Sequence, residues 1–329
     1  MSHYFKGRDG ARPSKADNLR RSQTAATEME MEKRRLGKTD MDVSVLGFGG
    51  SEIGYEQASR ETVAELLNSA LDAGLNVIDT AECYHNSEEL IGNAVSNRRK
   101  EFYLFTKCGH PHGFGERADW SKNSILKSIE RSLRRLKTDK VDLVQLHSCS
   151  ETELRKGETI EALQTAREKG YTRYIGYSGD SQAARFAVES GVFDTLQTSI
   201  SIADQEAIYL TLPLAREKQM GVIAKRPIAN AAWKTGHRPI DSYHHEYWER
   251  LRKLSYDFLH NDLEKSISIA LRFTLNIPGV HTAIVGTKNP ERWKQNAKLL
   301  KAGPLGEEMS RKIRERWEEC APRTWIGQI

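Results

Sequence analysis

The 329-residue chain has no long apolar run. Its apolar stretches, such as Val222 to Ala224, fall far short of the roughly 20 residues that a spanning helix needs, so no membrane association is expected. Cysteine is sparse. The four residues (Cys83, Cys108, Cys149 and Cys320) lie far apart and never in C-x-x-C spacing. That spacing excludes a disulfide framework and predicts reduced thiols in a reducing compartment, the cytoplasm. A large excess of one charge is missing too: 50 Lys and Arg against 45 Asp and Glu leave a net +5 spread along the chain. The basic cluster Arg131–Arg135 falls in a helical pattern, which predicts a solvated face and no nucleic-acid partner. No glycine- or proline-rich linker divides the chain, so one large domain is expected over two.

Residues 1–32 carry few large apolar side chains and no periodicity, which predicts a disordered extension. No apolar stretch follows Met1, so no secretory signal is expected.

From Val43 onward one unit repeats: a short apolar run, a polar or glycine-bearing turn, then a helical pattern. The eight runs are Val43–Leu46, Asn76–Asp79, Phe102–Lys107, Leu143–His147, Tyr174–Ser178, Thr195–Ser199, Gly221–Lys225 and His281–Gly286. Bounded and with little alternation, they read as strands buried on both faces. Amphipathic stretches such as Glu61–Asp72, Lys122–Leu136, Thr159–Glu168 and Lys265–Leu275 predict helices. Ser121 and Ser181 stand at N-cap positions, and Gly74 and Gly170 at C-terminal ones. Eight such units over residues 33–329 predict a single-domain α/β fold, a (β/α)8 or TIM barrel. Residues 226–263 are too long for a simple connection and predict an extra helix or a substrate-covering loop. A dinucleotide-binding G-x-G-x-x-G starting at Gly47 fails because Glu52 stands where its third glycine is required, and the next helical pattern begins only near Ser59.

Chemistry in such a barrel sits at the C-terminal ends of the strands. Those ends supply Asp79, Lys107, His147, Ser178 and Gln197, and Tyr84 lies in the loop after the second run. Taken alone, Asp79 reads as a helix cap, Lys107 as a surface residue and His147 as a satisfied core histidine. Together, three successive strands ending in acid, base and imidazole, with a phenol five residues after the acid, predict a task. A buried Asp79 would hold the Lys107 ammonium. That charge beside Tyr84 would lower a phenol pKa that starts near 10. Tyr84 would then protonate a carbonyl oxygen, and His147 would orient it. With no nucleophile and no metal requirement in the set, a hydride from a bound cofactor is the attacking species.

The stretch "DTAECYHNSEELIG", Asp79 to Gly92, resembles the D-T-A-x-x-Y-G-x-S-E-x-x-x-G signature of the aldo-keto reductases, with His85 where glycine is usual. "FYLFTK", "VDLVQLHS" and the opening "EKRRLGKTDMDVSVLGFGGS" are similar to further segments of that family, in the right order from Arg35 to about Leu300. The resemblance implies an NADPH-dependent oxidoreductase that reduces aldehydes and ketones, with Asp79, Tyr84, Lys107 and His147 as the catalytic tetrad. It implies a cofactor bound along the strand ends, NADP(H) preferred and NAD(H) possible. Ser178 and Gln197 would meet its carboxamide, Gly179 replaces the usual asparagine, and Gly49, Gly50 and Ser51 would rim the ribose. Lys225 and Arg226 stand where an aromatic ring and a serine are common, and as cations they suit the pyrophosphate. Gly286, Thr287, Lys288, Arg292, Gln295 and Asn296 would line the adenosine phosphate. Tyr55, Trp120, Trp233 and Trp325 are the substrate-facing candidates, and the C-terminal tail is expected over the barrel mouth.

Cys83, Cys108 and Cys149, each within two residues of a tetrad member, with His110 and His112 nearby, read as buried thiols rather than a metal site. Two other functions remain open: a cofactor-binding regulatory subunit that senses redox state on the same fold, and a sugar or polyol dehydrogenase.

Overall fold

The computed structural model describes Met1 and residues 31–111, 113, 118–260 and 262–328. The expected disordered extension falls almost wholly outside them. Met31 and Glu32, assigned to it, are described: Val45 N donates to Glu32 O at 2.9 Å, and Glu32 pairs with Arg34.

A two-stranded antiparallel hairpin comes first, β1 (Lys33–Arg35) and β2 (Asp42–Ser44). Eight parallel strands follow: β3 (Leu46–Gly49), β4 (Val77–Asp79), β5 (Tyr103–Cys108), β6 (Val141–His147), β7 (Thr172–Ser178), β8 (Thr195–Ser199), β9 (Gly221–Lys225) and β10 (Thr282–Gly286). Each pairs with the next, and β10 pairs with both β9 and β3, so the sheet closes into a barrel with helices between the strands. The expected (β/α)8 fold is present.

The first expected strand is shifted. Val43 belongs to β2, and the barrel strand runs Leu46–Gly49, ending on Gly49, which is expected as part of the cofactor rim. A Cβ at Gly47 would sit 3.2 Å from the Val77 side chain, so the strand uses glycine to pass close to β4. The hairpin instead contributes Leu36, Met41 and Val43 to a small apolar cluster with Val77, Phe105, Leu143, Ile223 and Ile284. Those strand residues precede the polar strand ends, so the cluster fills the barrel toward its N-terminal end and leaves the opposite mouth for polar groups.

Strand alternation does the rest. Side chains two apart share a face, so inward Val77 leads to Asp79, Phe105 to Lys107, Leu143 to Gln145 and His147, and Ile223 to Lys225.

The helices Arg60–Asp72, Lys122–Leu136, Glu158–Glu168 and Leu263–Asn276 match the expected stretches to within two residues at each end. Ser121 caps its helix through the Ser124 amide, and Gly74 and Gly170 end theirs with left-handed φ of 97° and 76°. Ser181 is not a cap but the first residue of helix Ser181–Ser190, whose N-cap is Asp180. The long connection after β9 carries helix His245–Leu254, the expected extra element. Among the described residues no helix is long and apolar enough to cross a membrane.

Candidate active site

At the C-terminal mouth, Lys107 Nζ donates to Asp79 Oδ2 at 2.5 Å, to Thr80 O at 2.9 Å and to Tyr84 Oη at 3.4 Å. The ammonium also lies 4.9 Å from the Tyr84 ring centroid. The His147 ring stands edge-on to Tyr84, centroids 5.6 Å apart. Acid, base, phenol and imidazole therefore converge as the sequence predicts.

Beneath them lies a layer of amides. Gln145 and Gln197 donate to Asp79 Oδ1 at 3.3 and 2.9 Å, and Ser178 Oγ donates to Gln197 Oε1 at 3.2 Å. Gln145 was not foreseen. Its signal was its place two residues before His147, on the same inward face of β6.

Burial, the largest influence, raises the Asp79 carboxyl, against Lys107 and the two glutamine amides. Burial also pushes the Tyr84 phenol well above its ordinary range; Asp79, Cys83 and Tyr243 push it the same way, and Arg226 opposes them. The expected acidification by Lys107 is therefore corrected. The ammonium lies 3.4 Å from the phenol oxygen but shares its charge with Asp79 at 2.5 Å, and desolvation of the phenolate outweighs it. Tyr84 stays protonated at neutral pH. Burial holds the His147 imidazole well below its usual range, helped by Lys107, His110, Lys225 and Arg226, so the ring is neutral.

The loop that carries Tyr84 is pinned from below. Glu82 Oε1 accepts from the amides of Gly109 and His110 at 2.7 and 2.9 Å, and Glu82 Oε2 from Arg131 at 2.6 Å. Glu88 accepts from Thr106 at 2.7 Å and pairs with Arg135. Arg131 and Arg135, expected on a solvated face, instead reach under the site loop to two buried carboxylates.

The expected cofactor residues divide into three groups. Ser178, Gly179 and Gln197 lie beside the tetrad, and Gly49 pairs in register with Asp79. A Cβ at Gly179 would fall 2.6 Å from the Tyr177 hydroxyl, which is bound to Cys149 O, so the usual asparagine has no room there. Gly50 and Ser51 follow β3, with Ser51 Oγ 2.6 Å from Glu52 Oε2.

Lys225 and Arg226 hold the tail. Lys225 pairs with Asp180 at 2.7 Å and donates to Gln328 O at 3.2 Å, and Arg226 donates to the same carbonyl and to Ser199 and Tyr243. The amides of Gly327 and Gln328 meet Glu206 and Asp204 at 2.8 and 3.3 Å, and Arg250 donates to Ile326 O at 2.8 Å.

Gly286 and Thr287 end β10. Lys288 pairs with Glu56 at 2.9 Å on the exposed surface, Arg292 and Gln295 are exposed at the start of helix Arg292–Leu299, and Asn296 on the same helix is buried.

Of the four aromatic candidates, Tyr55 stands 5.7 Å from the Tyr84 ring and Trp120 5.4 Å from His110. Trp233 packs against the main core, and Trp325 is buried against Trp317 under Arg250, anchoring the tail rather than facing Tyr84. Cys83, Cys108 and Cys149 are buried thiols; His112 lies outside the described residues.

A model of the Aldo/keto reductase family matches residues 45–318. The chain belongs to that family. Membership makes it an oxidoreductase. It is similar to the uncharacterized oxidoreductase YqkF of Bacillus subtilis, 32% identical over 84% of this chain and 94% of that one. Among solved structures, the holo form of aldo-keto reductase AKR11C1 from Bacillus halodurans is 28% identical with a TM-score of 0.74, covering 90% of this chain and 99% of that chain. An aldo/keto reductase from Klebsiella pneumoniae in complex with NADP and acetate is 25% identical with a TM-score of 0.67, covering 89% and 96%.

Proposed function

We propose that this member of the family is an NADP(H)-dependent carbonyl reductase that takes aldehydes or ketones to alcohols, with Tyr84 as proton donor. The observation that carries the reading is the Lys107 ammonium, which contacts both Asp79 and the Tyr84 hydroxyl at the mouth of the barrel.

The residues present suit the cofactor. Asn230 Nδ2 is a buried donor with no hydrogen-bond partner among the described residues, and it sits in a loop where Arg226, Ala229, Asn230 and Ala231 all adopt left-handed φ. That unused side-chain donor beside Arg226 suits the pyrophosphate. Ser178 and Gln197 would hold the carboxamide, with Gly49, Gly50 and Ser51 beside the ribose. Thr287, Lys288, Arg292, Gln295 and Asn296 would take the adenosine end, where two cations favour a 2′-phosphate. Arg226 remains within the pyrophosphate set, sharing its donors with the tail. When bound, the cofactor supplies hydride to the carbonyl carbon.

The chain's own part is electrostatic and geometric. Tyr84 keeps its proton until the carbonyl oxygen gains charge, then releases it, while the adjacent ammonium steadies the phenolate left behind. Asp79 and the two glutamines fix that ammonium. Neutral His147 hydrogen-bonds the same oxygen without competing for the proton. A positioned acid of this kind contributes about 10²–10⁴ in rate.

Steady-state turnover of an aldehyde panel with NADPH, beside a Tyr84→Phe control and fluorescence titrations with NADPH and NADH, tests the reading. Turnover far above the control with tighter NADPH binding is expected. Cofactor binding without turnover above the control would favour a regulatory subunit, and preferential NADH binding would overturn the roles of Lys288 and Arg292.

A further inference from the structure

We infer that Cys83 is a positioning residue that selects the tautomer of His147: its thiol donates to Nδ1 and so places the ring proton on Nε2. The inference rests on the proposed role of His147 at the carbonyl oxygen.

Cys83 Sγ lies 3.3 Å from His147 Nδ1, and both groups are buried, at 5% and 8% exposure. A neutral imidazole has one donor and one acceptor nitrogen, so the direction of this contact decides which nitrogen keeps the proton. Two arguments set the direction. Ring nitrogen is a far better acceptor than thiol sulfur, which is weak in that role. Burial also pushes the Cys83 thiol up to about 12, so the S–H is intact across the working range and never becomes a thiolate that would draw a proton onto Nδ1. The opposite arrangement, N–H to sulfur, would put the acceptor nitrogen where a carbonyl oxygen needs a donor.

The geometry is held from both sides. Tyr55 Oη donates to Cys83 O at 3.3 Å, and the neighbouring Glu82 amide donates to Lys107 O at 3.1 Å, which ties the cysteine's loop to β5. On the other side His110 Nε2 donates to His147 O at 2.7 Å. The thiol and the ring thus face each other across two anchored segments. Cys83 occupies an open position of the family signature, directly before Tyr84, so this selection belongs to this chain's own residue.

The experiment combines nitrogen NMR of the ¹⁵N-histidine-labelled full chain with kinetics of Cys83→Ala, Cys83→Ser and His147→Ala. Wild type is expected to show His147 as the Nε2–H tautomer. Cys83→Ala is expected to mix the tautomers and lower kcat about two- to tenfold, the size of one neutral hydrogen bond, with cofactor affinity unchanged. Cys83→Ser, which restores a donor, is expected to recover both. An Nδ1–H tautomer in wild type, or a Cys83→Ala enzyme with unchanged tautomer and kcat, would overturn the inference. Full turnover in His147→Ala would instead overturn the role of the histidine itself, whatever its tautomer.

Discussion

Lys107 and Asp79 form an ion pair from which water is excluded: Nζ to Oδ2 is 2.5 Å, with side-chain exposures of 0% and 1%. Removing one partner of such a pair leaves a charge stranded in the barrel, which costs about 3–5 kcal/mol. Lys107→Met and Asp79→Leu are each expected to lower unfolding free energy by about that amount. The double variant is expected to be less destabilised than either single one, because no lone charge remains. Denaturant unfolding of the four proteins checks this. A double variant that loses the sum of the single effects would show that the pair is not coupled.

Tyr84→Phe removes one oxygen from a ring whose packing against Tyr55 and His147 is otherwise kept. Carbonyl reduction is expected to fall about 10²–10⁴-fold. Thermal stability should change little, since the Tyr84 hydroxyl makes only a 3.4 Å contact to Lys107. Cofactor titration should be unaltered. Equal losses in turnover and cofactor affinity would point to a structural role.

The histidines give the acid side of the pH profile. Burial lowers His147, His110 and His281 below the usual value, with nearby cations adding to the effect at His147 and His281. A neutral His147 predicts no inflection in reductive kcat near pH 6.5. For stability the sign follows from proton counts. Below about pH 6.5 the unfolded chain takes up protons that the folded chain refuses, so unfolding free energy falls as pH drops from there. His147→Gln is expected to flatten part of that slope in unfolding curves collected between pH 5 and 8.

The parts of this molecule that were legible in the sequence share one property: they are local. Asp79, Lys107 and His147 each end a short apolar run, and alternation alone turns them inward. The Ser121 cap and the C-terminal glycines Gly74 and Gly170 are likewise set within a turn. What was not legible depends on contacts across the barrel. Gln145 looks like an ordinary polar residue until β5 and β6 pair and bring it to Asp79. Arg131 and Arg135 repeat as a charged helix face, and only the packing of helix Lys122–Leu136 beneath the site loop reveals their carboxylates. Lys225 and Arg226 carry no mark that they grip a carbonyl about 100 residues later in the chain. The phenol of Tyr84 was misjudged for a similar reason, because the burial that raises it is a property of the whole mouth.

The tail supplies the opposite pH sign. Burial, then the charge of Asp180, raises Asp204 to about 7, while Tyr247 and the Gln328 amide donate to its Oδ2 at 3.0 and 3.3 Å. An unfolded aspartate titrates near 3.9. Between about pH 4 and 7 the folded chain therefore holds a proton here that the unfolded chain has released, and the associated stability is lost as pH rises through that window. Asp204→Asn keeps the shape and removes the titration. The stability of wild type relative to Asp204→Asn is expected to decline from pH 5 to pH 8, opposite in slope to the histidine effect. Urea unfolding of both proteins at several pH values measures it. A difference that stays constant across the range would mean that Asp204 is ionised throughout, held by Arg250 more firmly than burial resists.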